Sequence, residues 1–487
     1  LTARAGADVL RQGGNAVDAA VASMLMSFVA EPLFTGLGAG GYMLVAGGPD
    51  PPALLDFFVE APGRETGSPP ASPMLGFAVD FGAAEQIFHA GPASCGVYGA
   101  PAGICRAISR WGSWPLADLV APATALARDG VPLNRGQAYV VELLEHLLTS
   151  TPEGRALFRP SGHLLREGDV MRNPDLAVTL ERLGRDGDEP FYRGDIADAV
   201  CDRIAAGGGT LARADLRAYE AVLREPVRVA YRGREILSNP PPSAGGILLA
   251  YSLSLLDRAA SPPTVEQIVD AMAMAQAERT PAFVEGLAEG GFLERFLAAR
   301  TGSTTHISVL DSAGRACSVT TSIGEGSAVV VPGTGLHLNN MMGEEDLNPL
   351  GFHRHLPGRR LPSMMAPTIV MSPGRSAAPG AGPPVELVLG SAGSNRIRSA
   401  LLQTIIGVVD HGLTAAQAVE APRVHFEAGR VYAEPGIDVR SLELAGHSVT
   451  QFAAPNLFFG GVQAVERRDG LIAGGGDPRR GGVAVGA

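Results

Sequence analysis

Two threonines open the stretch with the most chemistry in it: Thr304-Thr305-His306-Ile307-Ser308-Val309. Its partner is Ala316-Cys317-Ser318-Val319-Thr320-Thr321-Ser322, and Asp311-Ser312-Ala313-Gly314-Arg315 lies between them. β-Branched arms around a turn-forming segment predict a β-hairpin. Ahead of it, Ala298-Ala299-Arg300-Thr301-Gly302-Ser303 is small and polar, a composition suited to chain cleavage. A cut between Ser303 and Thr304 would put a hydroxyl and a free α-amine on one residue. With an amine pKa of roughly 7.7–8.0, a useful fraction is neutral near pH 7. A neutral amine can take the hydroxyl proton and so activate the oxygen as a nucleophile. Without the cut, the same threonines are ordinary strand formers.

Other reactive residue types give weaker patterns. His353-Arg354-His355 brings two imidazoles together without a nearby third ligand, so a solvated loop is expected and no metal. Gly36-Leu37-Gly38-Ala39-Gly40-Gly41 spells GxGxxG, but it follows a predicted helix and precedes a predicted strand. A dinucleotide site needs the reverse order. Asp477-Pro478-Arg479-Arg480 is expected to hold a structural ion pair.

Composition excludes several classes. The sequence contains no lysine, which removes Schiff-base, pyridoxal-phosphate and P-loop chemistry. The net charge of −11 without a basic run disfavours nucleic acid and anionic membranes as partners. The 4 cysteines lack CxxC spacing, so neither a disulfide framework nor a thiolate zinc site is expected. No cofactor is expected. The chain opens at Leu1 without an initiator Met, as a trimmed chain would, and compartment is not readable from this end.

The elements that must carry the hairpin are legible in outline. Asn15 is a predicted N-cap, with Asp18 at the third helical position and Pro32 ending the helix near Ala30. The apolar run is too short to span a bilayer. Leu54 to Val59 is a predicted strand, and a loop at Pro240 to Gly246 separates a strand from a helix. Residues 373–380 are a predicted surface loop. Val385 to Leu389 is a strand leading through Gly390-Ser391-Ala392-Gly393-Ser394-Asn395 into a helix from about Arg396 to Asp410, with Gly412 as its C′ residue.

GGNAVDAAVA at 13–22, the glycine-rich 36–41, PATALARDG at 122–130, NPPPSAGG at 239–246, TTHISV at 304–309, APTIV at 366–370 and GGDPRRGG at 475–482 resemble, in order, landmarks of the γ-glutamyltranspeptidases. These are N-terminal nucleophile hydrolases. The resemblance implies an α+β fold, a four-layer αββα sandwich, made from a large subunit region 1–303 and a small one 304–487 that intertwine after self-cleavage. It implies Thr304 as nucleophile and its own base, Thr305 and Ser322 as hydroxyls that steady it, and backbone amides at Gly393 and Ser394 as the oxyanion hole.

The departures from the family pattern concern substrate binding. Where the family has an Arg after Asp-Phe, Asp56-Phe57 is followed here by Phe58, with Arg64 a few residues on. Met341 follows Asn339-Asn340 in place of a polar residue, and Glu344 is the nearest acid. A Ser-Ser pair becomes Ser363-Met364. Phe58, Asn340, Met341, Glu344, Ser363 and Met364 are thus the expected pocket, more apolar than the family's. The expectation is an autoprocessing amide hydrolase or acyltransferase whose small-molecule donor is an acyl amide, as in the related cephalosporin acylases, or a γ-linked glutamyl peptide. The alternatives are an ordinary glutathione hydrolase and transpeptidase, and a catalytically silent homologue.

Overall fold

The computed structural model describes residues 1–66, 69–80, 85–259, 261–278, 287, 305–348, 351–374, 384–393 and 395–487. They divide into two compact units, one made of Leu1–Gly41, Asp56–Val222 and Thr321–Leu361, the other of Tyr42–Leu55, Leu223–Thr320 and Pro362–Ala487. Each unit draws residues from both sides of position 304.

The first unit is mainly helical. Its centre is the helix Ala16–Ala30, every residue of which is buried. The expected cap is present: the Asn15 side chain accepts from the Val17 and Asp18 amides, and Asp18 accepts back from the Asn15 amide at 2.9 Å. The reciprocal pair satisfies amides that a helix start otherwise leaves bare. Asp18 also accepts from the Ser113 amide at 2.9 Å, which ties this helix start to the end of the helix Ala100–Trp111. The GxGxxG run does not cradle phosphate. Gly38 bridges to Leu338, and a side chain on Gly38 or Gly40 would overlap the backbone at 337–338 or 58–59. Glycine is there because two backbones meet.

In the second unit a six-stranded antiparallel sheet runs in the order Leu471–Gly476, Gly461–Arg468, Val385–Ala392, Thr368–Met371, Arg234–Ser238, Val227–Tyr231. Helices Gly245–Asp257 and Arg396–Val409 cover one face, with Leu249, Leu253, Leu401 and Ile405 packed on Val370, Leu387, Leu389 and Val462. Each such buried side chain contributes about 1.5–3 kcal/mol. A second sheet, to which this unit contributes the larger part of the strands Thr305–Leu310, Ala316–Ser322, Gly40–Ala46, Ala53–Phe57 and Val222–Arg224, in that order, contains the hairpin. Hairpin residues bond across to the first sheet, Ser308 Oγ to the Gln463 carbonyl at 3.0 Å and Ser318 Oγ to the Leu389 carbonyl at 3.1 Å. The unit is therefore layered helix, sheet, sheet.

Local expectations are met closely, with small corrections. The hairpin turn closes through Gly314 to Asp311 and Asp311 to Arg315. The predicted strand at 54–59 stops at Phe57, because residues 58–60 leave the ladder to meet other backbone. The helix predicted from about Arg396 to Asp410 ends at Val409, with Asp410 as cap. Gly412, left-handed at φ +65, stands one residue beyond the C′ position assigned to it. Of the predicted loop 373–380, residues 375–380 lie outside the described residues.

Candidate active site

Ser303, Thr304 and Ser394 lie outside the described residues, as does the side chain of Thr305.

In the second unit His306 follows Thr305 on the hairpin. It is buried, and burial drives its pKa down to about 3, so the ring is neutral. Its Nδ1 lies 2.8 Å from Thr320 Oγ1 and its Nε2 lies 2.9 Å from Ser308 Oγ. Ser308 donates its own proton to the Gln463 carbonyl, so it must accept from Nε2–H, and Thr320 must donate to Nδ1. One tautomer satisfies the whole chain. The ring lies flat against Gly390, where any side chain would overlap it.

The strand Val385–Ala392 ends at Gly393, and the helix starts at Arg396. Gly393 has φ +125, and a Cβ there would lie 2.6 Å from Gly460 Cα. Only glycine fits this turn. Asn395 Nδ2 donates to Glu427 Oε1 at 2.5 Å, and Arg396 Nε donates to the Phe458 carbonyl at 3.0 Å while its guanidinium lies 4.9 Å from the Phe458 ring centroid.

Ser363 and Met364 belong to the same unit and are both buried. Ser363 Oγ accepts from the Met365 amide at 3.1 Å. Its carbonyl accepts from the Ala244 amide at 2.8 Å and from Ser243 Oγ at 2.9 Å. Asn239 Nδ2 donates to the Met365 carbonyl at 2.9 Å. The 239–246 landmark is thus a brace for residues 363–365.

In the first unit three expected residues meet. Ser322 Oγ accepts from the Gly324 amide at 2.7 Å. Gly324 has φ +69, and a side chain on it would overlap both Glu344 Oε1 and Asn340 Oδ1. Ser322, Asn340 and the half-buried Glu344 therefore surround one glycine. Asn340 Oδ1 also accepts from the Glu325 amide at 3.1 Å, and its Nδ2 donates to the His89 carbonyl at 3.2 Å. Asn339 is structural: its side chain bonds Gly38, Gly96 and Met341 backbone. Met341 is buried beside it.

Phe58, also buried, sits in a separate corner of this unit. Its carbonyl accepts from Arg360 Nη1 at 2.7 Å and from Tyr219 Oη at 2.8 Å. Arg360 lies 3.5 Å from Asp56, 3.5 Å from Glu60 and 4.4 Å from the Tyr219 ring centroid. Arg64 pairs with Glu60 at 3.1 Å. Burial raises the Glu60 pKa, with Arg360 and Arg64 pulling the other way. The two guanidiniums of this corner are matched by two carboxylates.

Arg360, Glu427, His425 and Thr320 do not stand out in the sequence. Their partners are distant along the chain, and only the fold brings them together. His353 and His355 do not meet a third ligand, and no cluster suited to a metal occurs among the described residues. Asp477 pairs with Arg423 at 2.7 Å and with Arg479 at 3.2 Å, and Arg479 with Glu434 at 2.5 Å, all buried, as the structural role anticipated.

Known proteins share this build. A cephalosporin acylase from Bacillus halodurans is 26% identical with a TM-score of 0.80, over 100% of this chain and 94% of its own. A γ-glutamyltranspeptidase from Helicobacter pylori is 26% identical with a TM-score of 0.50, over 61% of this chain and 88% of its own. The fold is therefore α+β, of the N-terminal nucleophile hydrolase type, and the protein is an enzyme of amide-bond hydrolysis or transfer. The sequence profile of the γ-glutamyltranspeptidases matches residues 2–487, and the chain belongs to that family. Its relatives include the acylase ACY 1 proenzyme of Pseudomonas sp. (strain V22), 32% identical over 97% of this chain and 90% of that one. The glutathione hydrolase proenzyme of Bacillus subtilis (strain 168) is 30% identical over 100% and 90%.

Proposed function

We propose that this enzyme cuts itself between Ser303 and Thr304 and uses the new N-terminal Thr304 to hydrolyse or transfer an acyl group other than the γ-glutamyl group of glutathione. The single observation that carries the donor preference is the Phe58 corner. The family's carboxylate-gripping Arg is replaced there by a buried apolar ring, and Arg64 and Arg360 are already paired with Glu60 and Asp56. A free α-carboxylate would have to compete with those acids for a guanidinium.

The chemistry follows from one residue with two functions. The Thr304 amine takes the hydroxyl proton, and Oγ1 attacks the amide carbon. The negative charge that develops on the carbonyl oxygen falls to backbone amides at Gly393 and Ser394. The ammonium returns its proton to the leaving amine as the C–N bond breaks, which leaves an ester on Thr304. Water or an amine then attacks that ester, gives up its proton to the Thr304 amine, and restores the free hydroxyl. Thr305 and Ser322 steady the nucleophile. Met341 and Met364 make the acyl side apolar, Asn340, Glu344 and Ser363 supply its polar contacts, and Phe58 stands where the family's Arg would grip a carboxylate.

The test is a denaturing gel with N-terminal sequencing beside Thr304→Ala, followed by a series of acyl anilides. Wild type is expected to give two pieces with Thr304 leading the smaller, and Thr304→Ala to stay whole. Aliphatic acyl anilides should turn over with higher kcat/KM than γ-glutamyl anilide. Tight, saturable glutathione hydrolysis overturns the donor assignment and favours the ordinary glutathione hydrolase. A wild type that stays whole overturns the nucleophile and favours a silent homologue.

A further inference from the structure

The helix Arg396–Val409 and the strand Val424–Glu427 are stitched together along one seam. Asn395 Nδ2 donates to Glu427 Oε1 at 2.5 Å, and Ser399 Oγ lies 2.8 Å from His425 Nδ1. Gln403 both donates to the Val424 carbonyl and accepts from the Val424 amide at 2.9 Å. Positions 395, 399 and 403 recur every four residues, so they share one helix face. Residues 425 and 427 share one strand face by alternation.

The seam is polarised. His425 Nε2 lies 3.3 Å from Glu427 Oε2, so it donates there and Nδ1 accepts from the Ser399 hydroxyl. Ser399 is buried, which closes its hydroxyl to an acyl substrate, so the three residues are not a second hydrolytic triad although their polarity is that of one. Burial keeps His425 neutral. Burial opposes the charge on Glu427, but the hydrogen bond from the His425 N–H and the nearby guanidiniums of Arg396 and Arg398 outweigh it and hold the carboxylate ionised, its pKa down to about 2. The ionised carboxylate therefore bonds the side chain at the very start of the helix, where the chain leaves Gly393.

We infer that Glu427, oriented by His425, is a positioning residue for the oxyanion turn: by holding Asn395 it fixes the direction of the Gly393 amide. This rests on the assignment of that amide as an oxyanion donor. Such a residue acts on the transition state and not on ground-state binding, so its loss lowers kcat and kcat/KM together.

Kinetics of the processed enzyme on its best acyl anilide tests this. Glu427→Ala is expected to lower kcat at least about tenfold with KM within about twofold. Asn395→Asp sets two carboxylates face to face and should cost as much. Adding Glu427→Gln restores a donor–acceptor pair with reversed polarity and should recover kcat to within about threefold of wild type. If Glu427→Ala does not fold, the Asn395→Asp and double variants decide the matter. A double variant no faster than Asn395→Asp, or single variants with wild-type kcat, overturn the inference while Thr304→Ala remains inactive. Turnover that survives Thr304→Ala overturns the nucleophile reading and this inference with it.

Discussion

Gly393 and His306 show how single residues shape the candidate site in opposite ways. Gly393 contributes by lacking a side chain. Gly393→Ala forces a Cβ to within 2.6 Å of Gly460 Cα at φ +125, so the turn must move. We expect a loss of about 1–3 kcal/mol of stability and at least about a hundredfold in kcat, measured by chemical denaturation and anilide turnover. His306 contributes by staying neutral. Its folded pKa of about 3 lies below the ordinary value of 6.5, so the unfolded chain binds the extra proton between those limits. Stability is full above pH 6.5 and falls as pH drops toward 3, by up to about 1.4 kcal/mol per pH unit from this residue. His306→Asn should be less stable at pH 7 yet lose less between pH 6.5 and 4, as denaturation curves at both pH values would show. Equal slopes for the two proteins would rule out His306 as a source of the acid sensitivity. Gly393 was recognisable from its place between a strand and a helix. The role of His306 was not, because Thr320 and Gln463 complete its network from other strands.

Secondary-structure elements were the most legible level. The Asn15 cap, the break at Pro32 and the hairpin turn all rest on neighbours within a few residues, and such local chemistry is written in the order of residues. Asn15→Ala should cost about 1 kcal/mol in thermal or chemical unfolding, with acyl-donor preference unchanged. What the order of residues hides is why a segment exists. The glycines of 36–41 spell a nucleotide motif and instead allow backbones to touch. The 239–246 segment reads as a loop and turns out to brace Ser363 to Met365. Gly246 packs against the Asn239 backbone. Gly246→Ala should therefore shift that brace and raise KM for acyl donors more than it lowers kcat, a pattern visible in initial-rate kinetics.

At the level of the molecule, landmarks in order pointed to the family, while the pairing of Arg360 with Asp56 and Glu60 had no trace in sequence. Ion pairs between residues some 300 apart obey no local periodicity. The absence of lysine has a practical use here. With no side-chain amines, a reagent for primary amines reaches only chain ends. Labelling at Thr304 should appear in wild type and be missing from Thr304→Ala, which mass spectrometry of the labelled protein would establish.

Both compact units recruit polypeptide from either side of position 304. Neither can be finished by a ribosome that has made only the first 303 residues, so self-cleavage, as proposed, waits on synthesis well past position 304. The uncut fraction in a cell extract then serves as a census of molecules that never matured. Substitutions deep in either core, far from any substrate, would surface first as a surplus of precursor on a gel.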